Sequence, residues 1–168
     1  MFYGEYTDSS TTPLFVFGHG LSYTTFAYTN MEVSANDTES MVSVGLDVAN
    51  MGGLDGEEVV QLYVTDMVAS VARPERALLG FARLELDQGT SRRVTFQVHP
   101  SRLAFYDEAM RFVVEPGEFR FSAGASAADI RVEVMVELLG GIAQYAQSSV
   151  VPLEVVTGEP FSCRVVET

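Results

Sequence analysis

Lysine and tryptophan are both missing from this 168-residue chain, cysteine occurs once and histidine twice. Each gap excludes something. All ten basic residues are arginine, set against 23 acidic ones, for a net charge of −13. Phosphate backbones would be repelled, so no nucleic-acid partner is expected. The acidity itself reads as a solvated, solubilising surface. Cys163 stands alone, so no disulfide can form within the chain. A single thiol does not separate a reducing compartment from an oxidising one. His19 and His99, far apart and with one cysteine, give no zinc-ligand spacing, and neither metal nor cofactor is expected. No apolar run approaches the roughly 20 residues of a membrane-spanning helix, so no membrane partner is expected. The opening MFYGEYTDSSTT has no basic stretch followed by an apolar one and does not read as a secretory signal. In a longer parent protein a signal would sit at the front of that chain, so localisation is left open.

What is present is period-2 alternation. Val42, Val44, Leu46 and Val48 alternate with Ser43, Gly45 and Asp47, which gives a strand with one face inward. Val94, Phe96 and Val98 repeat the pattern, as do Phe119 to Ala123 and Ile130 to Val136. Burying each such side chain is worth about 1.5–3 kcal/mol, so four on one face outweigh local propensity. Val59 to Thr65 is more continuously apolar and reads as a central strand. Ala77 to Leu86 is broken by Gly80 and reads as two short strands. Asn50-Met51-Gly52-Gly53, Asp87-Gln88-Gly89 and Glu115-Pro116-Gly117 are turn signals between the runs. Ser101 is placed to cap a single helical turn before Asp107, and Val150 to Val156 reads as a further strand around Pro152. Short strands at regular spacing, with no convincing 3.6-residue period, predict an all-β sandwich.

Five ordered blocks carry a resemblance. They are PLFVFGHGLSYTTFAY from Pro13, NMGGLDGEEVVQLYVTD from Asn50, RPERALLGF from Arg73, LAFYDEAMRFVVEPGEF from Leu103, and the VEPG turn inside the last. In this order and spacing the chain resembles the C-terminal fibronectin type III-like domain of family-3 glycoside hydrolases, the β-glucosidase and β-xylosidase family. The resemblance covers roughly residues 13–136. It implies a fibronectin type III-like (immunoglobulin-like) β-sandwich of about seven or eight strands with a short N-terminal arm. It also implies three parts. Residues 1–22 would be the arm, with the end of the preceding domain, residues 23–138 the sandwich, and residues 139–168 an extension of uncertain structure. Val16 stands where the family commonly has proline, and the end of the chain departs from the family's usual one. In the family the catalytic nucleophile, an aspartate, lies on a (β/α)8 barrel, and the acid/base carboxylate usually comes from a second domain. Neither domain is in these residues. The resemblance therefore implies a non-catalytic accessory domain, packed on and stabilising the catalytic domains of a parent β-glucosidase-like hydrolase. No catalytic residue is assigned.

The loop before the first strand supplies the candidate site. Phe15, Phe17, His19 and Tyr23 are read as interdomain docking residues, with Gly18 and Gly20 letting the backbone of His19 approach another surface closely. Gly18-x-Gly20 lacks the third glycine and following helix of a phosphate loop. The alternative is a free-standing glycan- or protein-binding module, with Phe15, Phe17, Tyr23, Phe105 and Tyr106 available to stack on sugar. A flat row of exposed aromatics on one sheet face would favour the glycan, and a cluster at Phe15, Phe17 and Tyr23 would favour docking. Asp55, Glu57 and Glu58 follow a glycine turn and read as a solvated loop. His99 reads as a strand-end residue, and Asn36-Asp37-Thr38 as an accidental glycosylation sequon.

Overall fold

The computed structural model describes residues 13–162, and the alternating runs are its strands. Residues 1–12 of the expected arm and Cys163 lie outside the described residues. In chain order the strands are β1 (Phe26–Ser34), β2 (Val42–Asn50), β3 (Gly56–Asp66), β4 (Ala77–Leu86), β5 (Thr90–Val98) and β6 (Phe105–Tyr106). They continue as β7 (Phe112–Val114), β8 (Gly117–Gly124), β9 (Ile130–Leu138), β10 (Ala143–Gln144), β11 (Glu154–Thr157) and β12 (Phe161–Ser162). One sheet runs β1-β2-β5-β11, with β12 also on β5, and a second runs β4-β3-β8-β9. A small third sheet, β10-β7-β6, lies beside them. All of these strand pairs are antiparallel.

The inward faces are those the alternation predicts. Val42, Val44, Leu46 and Val48 of β2 and Val94, Phe96 and Val98 of β5 are fully buried. They share one core with Val60 and Leu62 of β3, Leu84 of β4 and Phe121 of β8. Sandwiching two such faces is the solution that removes most apolar surface from water when the strands carry an apolar side.

Two local expectations are corrected. Ala77–Leu86 is one strand, not two: Leu62 pairs with Gly80 and Tyr63 with Leu78, so Leu79 is a bulge residue. Hydrogen bonding to β3 on both sides of the bulge keeps the strand continuous. The turn after β5 is a short 3-10 helix, Pro100–Arg102, and its cap is His99 rather than Ser101. His99 Nδ1 accepts the Ser101 N–H at 3.2 Å, while Pro100 has no N–H to satisfy.

Residues 139–162 return to the sandwich. β10 pairs with β7, and both β11 and β12 pair with β5. The strand around Pro152 begins only at Glu154. Just before it, the Leu153 side chain occupies the space where a Cβ on Gly80 would stand. Arg102 donates from Nη2 to the Leu79 carbonyl at 2.6 Å and from Nη1 to the Val151 carbonyl at 3.4 Å. This segment therefore closes the side of the sandwich between β5 and β4.

One buried amide ties the other end. The Asn50 side chain, fully buried, accepts from Thr24 Oγ1 at 2.7 Å and from the Gly52 N–H at 3.1 Å. Its Nδ2 donates to the Leu54 carbonyl at 2.8 Å and the Leu86 carbonyl at 3.0 Å. Both amide hydrogens and the oxygen's two acceptor positions are thereby used. Asn50→Ala leaves the Leu86 carbonyl and the Thr24 hydroxyl without this partner, and should cost roughly 2–4 kcal/mol in urea unfolding. A loss below about 0.5 kcal/mol would mean that water replaces the amide.

Candidate functional site

The loop of residues 13–25 is held by its backbone and by the buried Thr24, and leaves its aromatic side chains exposed. The His19 N–H donates to the Val16 carbonyl at 3.0 Å, closing a turn in which Gly18 takes φ +77°. A side chain there would be strained, and its Cβ would fall into the Gln61 side chain. Gln61, on the outward side of β3 yet buried, is the anchor. Its Nε2 donates to the Gly18 carbonyl at 3.3 Å and the Ala125 carbonyl at 2.6 Å, and its Oε1 accepts from the Tyr63 hydroxyl at 2.6 Å. The Ala127 N–H donates to the Phe17 carbonyl at 2.9 Å, and Arg76 Nη1 donates to the Ala127 carbonyl at 2.5 Å. The loop is thus laced to β3 and to the turn between β8 and β9.

The side chains point the other way. Phe15 and Phe17 are each 67% exposed and Tyr23 is 98% exposed, with His19 exposed beside them. Phe15 and His19 meet ring to ring at 5.1 Å, and Phe17 overhangs a cleft of about 460 Å³ that includes Tyr63, Leu78 and Arg76. Tyr23 lies beyond Ser22, facing solvent. Leu14 and Leu21, which the aromatic pattern did not single out, are 90% and 94% exposed.

The other sugar-stacking candidates are elsewhere. β2 and β5 are antiparallel, with Val42 opposite Val98, so the chain after β5 lies at the end of the sandwich away from Asn50 and the loop. Phe105 is buried there, under the Arg73 guanidinium at 4.4 Å. Tyr106 leans on Phe112 at 5.2 Å and donates its hydroxyl to Gln147 at 3.1 Å. The five aromatics therefore do not share a face. Asn36 is exposed, but Thr38 of its sequon is buried and donates its hydroxyl to the Gly141 carbonyl at 2.8 Å.

The acidic trio separates as well. Asp55 remains in the turn, where it accepts the Gln88 N–H at 2.7 Å. Glu57 and Glu58 are on β3, and Glu58 is buried, which corrects the solvated-loop reading. It sits at the seam between the sheets, where β1 lies beside β9. Tyr28 of β1 donates its hydroxyl to Glu58 Oε1 at 2.8 Å, and Arg131 Nη1 of β9 reaches the same oxygen at 3.3 Å. Arg131 also donates to the Phe26 carbonyl at 2.9 Å, pairs with Asp129 at 2.8 Å and stands 4.9 Å over the Tyr28 ring. Burial raises the Glu58 carboxyl above its ordinary range despite these partners, and burial followed by Glu58 itself pushes the Tyr28 phenol far up. The hydrogen bond from Arg131 holds Asp129 below the usual range. Period-2 arithmetic did place Glu58 in phase with Val60 and Leu62. That was the available signal.

Two antiparallel sheets packed face to face around one core define a β-sandwich module. The fibronectin type III-like domain model matches residues 58–127. Thermostable β-glucosidase B of Acetivibrio thermocellus is 40% identical over 139 residues, covering 81% of this chain and 18% of that protein. A β-xylosidase of Formosa agariphila is 43% identical over 129 residues, covering 74% and 17% respectively. The crystal structure of a β-glucosidase from Listeria innocua with glucose superposes with a TM-score of 0.75 at 29% identity, over 84% of this chain and 20% of that one. The chain belongs to the fibronectin type III-like family, in the form carried in the C-terminal part of family-3 β-glucosidases and β-xylosidases. It spans about 18% of the length of the curated relatives it matches, and the catalytic domains are absent from it.

A folded-state carboxyl raised above its unfolded value binds its proton more tightly when folded. Its contribution is therefore fully present below the unfolded value and is lost as pH rises through the folded one. Wild-type protein should accordingly lose stability relative to Glu58→Gln between about pH 4 and about pH 7, read by urea unfolding at both. A difference that grows in favour of wild type with pH would mean that the Arg131 pairing outweighs burial.

Proposed function

We propose that this chain is a non-catalytic accessory domain of a family-3 β-glucosidase-like hydrolase, which packs on the catalytic domains and stabilises them. The loop bearing Phe15, Phe17, His19 and Tyr23 is the docking element, and residues 1–22 form the arm that links it to the preceding domain. The observation that carries this reading is the division of labour in the loop. Its backbone is fixed by Gln61, Ala127 and the Gly18 turn, while its apolar side chains have no cover. Ordered backbone under exposed aromatic rings suits an interface that is filled in the larger protein. A flexible tether would need neither.

The glycan-binding reading needs a platform of coplanar aromatics, and its candidate rings are divided, with Phe15, Phe17 and Tyr23 at one end of the sandwich and Phe105 and Tyr106 at the other. In the proposed role the substrate is chosen elsewhere, by domains beyond this chain, and the chain alone hydrolyses no β-glucoside.

The test compares the full-length hydrolase with a version ending before residue 13. The shortened enzyme should unfold at a temperature several degrees lower and inactivate faster on warming. Equal unfolding temperatures and equal inactivation rates would remove the stabilising role.

A further inference from the structure

We propose that the docking surface continues from the loop onto the outer face of β3 and β4, and that the preceding part of the same hydrolase polypeptide covers both. This rests on the accessory-domain reading. Phe81 is 62% exposed, Val59 41% and Leu78 38%, on strands whose other outward positions are largely polar. Phe81 faces outward by alternation with the buried Ala82, Leu84 and Leu86, and the bulge at Leu79 shifts the phase of β4 so that Leu78 joins it on the outer face, with Val59 on the same side of β3.

Register makes the patch continuous with the loop. Phe81 is opposite Gln61, the residue that holds Gly18, and Leu78 is opposite Tyr63. Leu78 lines the same cleft of about 460 Å³ as Phe17. Val59 lines a second groove, of about 550 Å³, together with Gly18 to Ser22 on the other side of the loop. The loop is thus a ridge between two hollows. Glu75 and Arg76 border one hollow, and the Glu57–Arg83 ion pair lies beside the other. An apolar centre with a polar rim is the anatomy of a protein interface.

The occupant follows from length and charge. The match lies in the C-terminal part of relatives of which it is about a fifth, so most of such a polypeptide precedes the loop. A partner joined through the loop itself is present at high effective concentration, and a patch of modest size is then enough. A second copy of this chain would instead bring together two bodies of charge −13.

Phe17→Glu and Phe81→Glu, made separately, test this in the full-length hydrolase and in the 168-residue chain, with thermal unfolding as the readout. Each should lower the unfolding temperature of the full-length protein by several degrees and leave the chain alone almost unchanged, since both rings are exposed in it. If only Phe17→Glu acts, the loop remains the docking element and the extension onto β3 and β4 is overturned. If neither acts, both readings fall. If Phe81→Glu destabilises the isolated chain equally, the ring serves the local fold and the extension is overturned. Dimerisation of the isolated chain in sedimentation, abolished by Phe81→Glu, would assign the face to a second copy and overturn the proposal. Loss of retention on an immobilised β-glucan without loss of stability would overturn it in favour of sugar.

Discussion

The Asn50 amide fixes where the sandwich begins. Thr24, the end of β2, the turn through Gly52 and Leu54, and the end of β4 all converge on one buried side chain. Apolar packing alone tolerates sliding, because dispersion is non-directional and one valine resembles another. Four directed bonds to an amide do not. They set the point at which the leading segment reaches β1, and so the position from which the loop of residues 13–25 runs back over β3.

The second polar tie, at the β1–β9 seam, works by a different balance. Glu58, Tyr28 and Arg131 form a compact group in which burial disfavours the carboxylate and the guanidinium favours it. Such groups contribute little net stability compared with well-packed apolar residues of similar volume. Their value is alignment: β1 of one sheet is matched to β3 and β9 of the other. With Asn50 at one edge of this end and Arg131 at the other, the loop is framed by two polar fixtures over an apolar core. Gln61 then seats it.

Much of this was legible before any coordinates. β2 and β5 were written in alternation, and the valines, leucine and phenylalanine of their inward faces are fully buried. The family blocks supplied the sandwich type. What escaped the pattern depended on partners distant in sequence. β4 read as two strands because a bulge and a break look alike until the opposite strand is known. Leu78 was hidden for the same reason, since its side of the sheet depends on whether Leu79 is counted. Ser101 looked like a helix cap by residue type, but Pro100 shifted the helix start and gave the role to His99. Gln61 carries no signal at all in a run as apolar as β3. Its outward position becomes informative only when Gly18, 43 residues earlier, is found above it.

The order of strands on β5 also bears on how the domain is made. One edge of β5 pairs with β2, but the other waits for β11 and β12, more than fifty residues later. During synthesis the loop of residues 13–25 emerges before β5, and the strand that shields β5 emerges more than fifty residues after it. Until residue 157 has left the ribosome, the growing chain carries an open edge beside Val94, Phe96 and Val98, a template for intermolecular pairing. Closure is thus a late, non-local event, of the kind that slows folding. A nascent chain interrupted before β11 would expose its most adhesive strand while already presenting a sticky loop.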